Sequence, residues 1–326
     1  MRGRGINYDT GFTIGGHNSR RVFSPVQAGR EMRVIARELH CNAVRVSGDD
    51  PARLSVAARL AAAEGLEVWF APFPCDLPPA GNLEMLAECA GLAEQVRQGG
   101  AQVVFVAGGE LSLFGSGFVP GQVFTDRIPS LGRADLGAVC ARLSGHLADV
   151  AAEVRARFGG KVTYAAGPWE EIDWAPFDIV SFDGYRDAGN RDYFPGSIRR
   201  LSRHGKPVAI TEFGCCPYRG AADRGGLGWA IIDYEAVPPR LDGDYVRDEG
   251  EQVRYLNELL DVFSGAGVDS AFWFSFAGFG LPRHDDPHRD LDLASYGVVS
   301  VLDDNGTDWR PRESFHALAA AYGKAE

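Results

Sequence analysis

Eight short apolar runs recur along this chain, and most are followed by a stretch with helical periodicity. They read GINY (5–8), NAVRVS (42–47), LEVWFAP (66–72), QVVFVAG (102–108), KVTYAAG (161–167), DIVSFDGY (178–185), PVAITEFG (207–214) and DSAFWFSFAG (269–278). Helical patterns cover 25–39, 49–65, 82–98, 134–158, 248–264 and 314–323. The 49–65 stretch has matching ends, with Asp49 and Asp50 as candidate N-caps, Pro51 in the first turn and Gly65 as the stop. Strands that alternate with helices pair in parallel, because each crossover brings the chain back in the same direction. Eight such units in 326 residues predict a (β/α)8 TIM barrel, one domain over 1–326.

A doubly wound open sheet is the alternative, and it usually carries GxGxxG after its first strand. Here the first run leads into GFTIGGHNSR, which lacks that spacing. The stretch 215–247, rich in Gly and Pro, is expected to be a long loop after strand 7 that covers the barrel mouth.

Composition bounds the partners. With 45% hydrophobic and 24% charged residues and a net charge of −11, the chain reads as globular and acidic. An acidic surface argues against nucleic acid or an anionic membrane as the main partner. No run reaches the roughly 18 apolar residues that span a bilayer. The opening MRGRGINYDTGF lacks the apolar core of a secretion signal, so a cytoplasmic location is expected. The six cysteines contain no CxxC pair and are expected to be reduced thiols. Oligomeric state is not legible.

In a parallel barrel, chemistry sits at the C-terminal ends of the strands. The residues there are Asn7, Tyr8 and Asp9 on the first; Arg45 and Ser47 on the second; and Glu110 on the fourth. Trp169, Glu170 and Glu171 follow the fifth, Asp183 and Tyr185 end the sixth, Glu212 ends the seventh, and Trp273 and Ser275 lie on the eighth. Carboxylates and aromatic rings suit a carbohydrate partner, whose hydroxyl edges and apolar faces need both. Glu110 and Glu212 form the candidate catalytic pair, since glycoside cleavage needs one protonated and one ionised carboxyl. Arg45 beside the ionised partner would keep it charged, and Tyr185 would orient it. Asn7, Tyr8, Trp169, Glu171, Asp183 and Trp273 complete the candidate substrate-binding set. Glu171 and Asp183 read equally well as caps or surface residues, and Trp273 equally well as core packing.

The layout resembles the clan-A glycoside hydrolases, retaining (β/α)8 enzymes whose acid/base glutamate ends the fourth strand and whose nucleophile ends the seventh. Glu110 and Glu212 match those positions, as do Arg45, Tyr185 and Trp273. The tail ASYGVVSVLDDNGTDWRPRESFHALAAAY resembles the clan's closing segment. The resemblance implies a retaining glycosidase or transglycosidase that needs no metal or organic cofactor. MRGRGINYDTGF, HCNAVRVSG and LEVWFAPFPCDL also resemble actinobacterial proteins labelled "abortive infection protein".

Two positions depart from the clan. Gly109 stands where an Asn usually binds the substrate 2-hydroxyl, which leaves that contact to another residue such as Asn7. The third strand ends in FAPFP, without the clan's frequent His. These losses keep open a barrel that binds sugar without cleaving it. A metal-dependent barrel hydrolase or isomerase built on Asp183, Glu212 and His284 or His288 is a further alternative. Pro287 between those histidines argues against a helical zinc motif. The GGHNSR turn offers His17 and Arg20 to a phosphate, or is an ordinary loop.

Overall fold

The computed structural model describes residues 1–324. Eight parallel strands close into a barrel: β1 (Gly3–Asp9), β2 (Ala43–Gly48), β3 (Glu67–Pro72), β4 (Val103–Gly109), β5 (Lys161–Ala166), β6 (Val180–Asp183), β7 (Val208–Phe213) and β8 (Ser270–Trp273). Each strand pairs with its sequence neighbours, and β8 closes on β1 through Gly3↔Ser270 to Ile6↔Trp273. The outer layer is formed by α1 (Pro25–Arg37), α2 (Pro51–Ala63), α3 (Pro79–Gln98), α4 (Leu136–Arg155), α5 (Phe194–Arg200), α6 (Glu249–Gly265) and α7 (Glu313–Gly323).

Strand alternation divides the apolar residues into two cores. Ala43, Trp69, Ala71, Val104, Val106, Ala165, Ile179, Ala209 and Phe272 fill the barrel interior. Their alternates, such as Ile6, Val44, Val68, Phe105 and Ile210, pack outward against the helices. Glycine makes room inside: a Cβ on Gly5 would stand 2.2 Å from the Phe272 ring. The helices start where the sequence places a cap. Asp50 accepts from the backbone N–H groups of Ala52 and Arg53, and Ser24 and Asp135 cap α1 and α4 in the same way.

Most predicted elements recur with shifts of one to three residues, and one, the eighth strand, differs more. The eighth strand ends at Trp273 rather than 278. The connection 167–179 holds turns and no helix. A helix absent from the sequence reading, α5, stands between β6 and β7. Its FPGSIRR is too short to show helical periodicity. Between β7 and α6, residues 214–248 hold two single 3-10 turns and a small antiparallel ribbon, Ile232–Asp233 with Arg240–Leu241. Among the described residues no helix is long and apolar enough to cross a membrane.

Candidate active site

Parallel register places Asn7 of β1 beside Arg45 of β2, both at the C-terminal end of the barrel. The Asn7 amide donates to the carbonyls of Thr211 (2.9 Å) and Trp273 (3.3 Å), which ties β1 to β7 and β8. Its Oδ1 accepts from Arg45 Nη1 at 2.8 Å. The same Nη1 donates to Glu212 Oε1 at 2.6 Å, and Tyr185 Oη donates to Glu212 Oε2 at 2.9 Å. Each oxygen of Glu212 therefore has its own donor, one of them cationic. Burial, reinforced by the charge of Glu212, pushes the Tyr185 phenol well above its ordinary value, so it stays a donor. Asn7, expected to meet substrate, is instead 1% exposed with its polar atoms engaged. It holds Arg45 in place.

Glu110 occupies a different environment. The β4–β5 register breaks between Val106 and Gly109, and Glu110 takes left-handed backbone angles (φ 45°) before the short helix Leu111–Phe114. Such a conformation costs on the order of 1–3 kcal/mol in a non-glycine residue and is held only where its surroundings enforce it. Burial pushes the Glu110 carboxyl well above the ordinary carboxylate range. The negative charges of Asp183, Glu212 and Glu170 push the same way, and Arg45 opposes them. Among the described residues, no side chain donates to this carboxyl.

Two further carboxyls surround the pair. Asp183, 2% exposed, stands in register with Glu212. Its Oδ1 is buried without a hydrogen-bond partner, and burial next to Glu212's charge holds its carboxyl well above the usual range. Glu170 is buried behind Glu110 and accepts from Ser112 N (2.9 Å), Gly167 N (3.0 Å) and Tyr164 Oη (2.8 Å). Tyr164 Oη in turn accepts from Leu111 N at 2.7 Å. Glu170 thus fixes the turn on which Glu110 sits. It is one residue from Glu171, and only the backbone path after β5 decides which of the two turns inward.

Several expected contacts fall elsewhere. Tyr8 is on the outer face of β1, fully buried, with its hydroxyl donating to Glu31 of α1 at 2.5 Å. Trp273 is also outward-facing and fully buried, edge-on to Phe213, with Nε1 donating to the Tyr296 carbonyl. Strand alternation explains both: Asn7 and Phe272 face in, so their neighbours Tyr8 and Trp273 face out. Glu171 is a surface residue, its side chain 86% exposed in an ion pair with Arg203. Trp169 lies near the short helix after Glu110, its Nε1 donating to Ser112 Oγ at 2.9 Å. Phe274, just past the end of β8, is half-buried with its ring 5.7 Å from Tyr296, itself 5.9 Å from Tyr185.

The other candidates also resolve into local roles. Arg20 is buried against Glu31 (3.3 Å) and stacked over Phe279, so it is not free for a phosphate. His284 accepts from Asp286 N, and His288 stands 3.7 Å from Asp244, both within loop contacts. Among the described residues no group of three or more His, Cys, Asp or Glu side chains is placed to hold a metal.

The fold has solved counterparts. A GH113 β-1,4-mannanase superposes with a TM-score of 0.65 at 16% identity, covering 99% of both chains. A GH113 β-mannanase from Alicyclobacillus acidocaldarius gives 0.64 at 17% identity, over 100% of this chain and 98% of its own. A family 1 β-glucosidase from Thermotoga maritima gives 0.58 at 12% identity, over 99% and 97%. At these identities the likeness is one of fold: a (β/α)8 barrel of the kind these enzymes use. No family model matches the chain, and no curated protein does.

Proposed function

We propose that this barrel is a retaining glycoside hydrolase or transglycosidase, with Glu110 as acid/base and Glu212 as nucleophile. The observation that carries the reading is the opposite environment of the two carboxyls. Glu212 accepts from a guanidinium and a phenol, which favours the ionised form needed to attack the anomeric carbon. Among the described residues no side chain donates to Glu110, and burial with three neighbouring carboxyls pushes it up, which favours the protonated form needed to release the leaving group. One carboxyl raised by burial beside another held by a guanidinium and a phenol is the arrangement that an acid and nucleophile pair needs.

In the first step Glu212 forms a bond to the anomeric carbon as the bond to the leaving oxygen breaks, and Glu110 gives its proton to that oxygen. In the second, Glu110 takes a proton from water or a sugar hydroxyl, whose oxygen displaces Glu212. Water gives hydrolysis and a hydroxyl gives transfer. The solved counterparts are mannanases and a glucosidase, which supports a sugar substrate.

One observation favours a second reading, a barrel that binds sugar without cleaving it. A Cβ at Gly109 would lie 3.3 Å from Ala165 Cβ and 3.4 Å from Arg45 Nη2, so the guanidinium borders the place an Asn would use. Labelling with 2-deoxy-2-fluoroglycosyl fluorides, read by peptide mass, separates the two. The glycosidase reading expects an adduct on Glu212. A label on another residue, or neither adduct nor turnover across the panel, overturns it.

A further inference from the structure

The segment after β7 ties itself to three other parts of the barrel mouth. Trp229 packs on Phe124, which belongs to the insertion after β4, with ring centroids 6.3 Å apart. Five residues later Tyr234 packs on His17, in the hairpin after β1, at 4.7 Å. Toward β8, Tyr296 Oη donates to Gly225 O (2.7 Å) and accepts from Gly228 N (2.8 Å). Arg247 then pairs with Asp290 (2.9 Å) and Asp292 (2.8 Å). In the closed ring β1 and β4 stand three places apart. Five residues reach at most about 17 Å. A piece that short, in contact with connections from both strands, links them at the rim.

An aromatic wall continues from this link. Phe124 stacks on Phe114 at 4.7 Å with planes 5° apart, Phe114 meets Phe73 at 4.8 Å, and Phe73 meets Phe12 at 5.1 Å. Trp229, Phe114, Phe73 and Phe12 are each half-buried. Phe73 follows the interior residues Trp69 and Ala71 at the same two-residue spacing, so it faces the mouth. Phe114 lies one helical turn beyond Glu110, whose carbonyl accepts from Phe114 N. That is the side where Glu110 meets a leaving group. A groove for an internal stretch of polysaccharide needs two open ends and polar groups along its edges. This mouth is bridged and its leaving-group side is a run of hydrocarbon rings.

We infer that the site takes a small glycoside with an apolar, planar aglycone, and does not admit the interior of a polysaccharide. The inference rests on the glycosidase reading for the position of the leaving group.

The test measures binding and turnover separately. Calorimetry compares the unmutated protein with 2-naphthyl and methyl β-glycosides of glucose, mannose and galactose, and with mannohexaose. For whichever sugar binds, the naphthyl glycoside should bind about tenfold tighter than the methyl one, the scale of one or two good ring contacts. Trp229→Ala should remove most of that preference while leaving methyl glycoside binding within about twofold. Tyr234→Ala, at the other anchor, is the second variant. It should let mannohexaose bind more tightly without altering the naphthyl preference. Soluble galactomannan should keep its viscosity when incubated with the unmutated protein. A fall in viscosity, no naphthyl preference, or a preference that survives Trp229→Ala in a folded variant overturns the inference. Naphthyl-selective binding without cleavage of any glycoside sinks the glycosidase reading and spares the aglycone site. Cleavage of naphthyl and methyl glycosides with equal KM does the reverse.

Discussion

Arg45 Nη1 stands 2.6 Å from Glu212 Oε1, with the guanidinium side chain 2% and the carboxylate side chain 19% exposed. The contact gives Glu212 a buried cationic donor that Glu110 lacks among the described residues. It also makes Glu212 the one catalytic candidate whose charge the fold has already compensated, since Asn7 holds the guanidinium from behind. Arg45→Met should leave a largely buried carboxylate without its cation. Loss of one partner from such a pair costs on the order of 3 kcal/mol, so urea unfolding should show a stability loss of about that size. If Glu212 is the nucleophile, activity should fall by at least about a hundredfold, since the guanidinium that holds it is gone. Arg45→Lys should recover little, because one ammonium cannot reproduce a guanidinium aimed at both Asn7 and Glu212. A fully active Arg45→Met enzyme would remove Glu212 from the nucleophile role.

Tyr185→Phe removes the second donor, 2.9 Å from Glu212 Oε2, and leaves Arg45 in place. A hydrogen bond to a charged group contributes roughly 1.5–3 kcal/mol. The expected result is a fall in kcat/KM of about ten- to a hundredfold with little change in thermal stability. Accumulation of the glycosyl-enzyme, seen as a burst of leaving group, would show whether attack or release suffers more. Unchanged kinetics would mean that Tyr185 only fills space.

The barrel was legible because every strand is an apolar run and its boundaries are marked by residues such as Asp50 and Pro51. The ends of those runs also pointed to Arg45, Glu110, Asp183, Tyr185 and Glu212, which the register brings to one end of the barrel. Tyr8 and Trp273 went astray through parity: a residue at a strand end serves the mouth only if it faces inward. Glu170 and Glu171 could not be told apart in this way, because they lie in a turn where no period operates. The contacts of Trp229 and Tyr234 were beyond any sequence rule, since both depend on where a long irregular segment meets the rim.

Asp183 allows a test by pH. Folding raises its carboxyl well above the ordinary value, through burial first and the charge of Glu212 second. The folded protein therefore holds this proton more tightly than the unfolded chain does. The stabilising contribution is complete below the unfolded value of about 4 and is lost as pH rises through the folded value. Asp183→Asn keeps a neutral side chain of the same shape. Its melting temperature should match that of the unmutated protein near pH 4 and exceed it increasingly as pH rises. A difference that stays constant across pH would show that folding leaves the proton affinity of the Asp183 carboxyl unchanged.

Glu170 acts on Glu110 in two ways that one substitution can separate from simple damage. It fixes the backbone after Glu110 by accepting from Ser112 N and, through Tyr164, by holding Leu111 N. Its charge also helps raise the Glu110 carboxyl. Glu170→Gln removes that charge and must aim two amide hydrogens at a site built of donors, so the turn should loosen as well. The acid form of Glu110 is lost on the alkaline side of the pH profile, and lowering its pKa moves that limb of kcat/KM to lower pH. The ascending acid limb, which reports ionisation of the nucleophile, should stay where it is. Both limbs should be measured on an aryl glycoside with a poor leaving group, since only a poor leaving group needs the proton. With a dinitrophenyl leaving group the variant's first step should be nearly unimpaired. Equal losses for both leaving groups with an unmoved alkaline limb would reduce Glu170 to a structural residue.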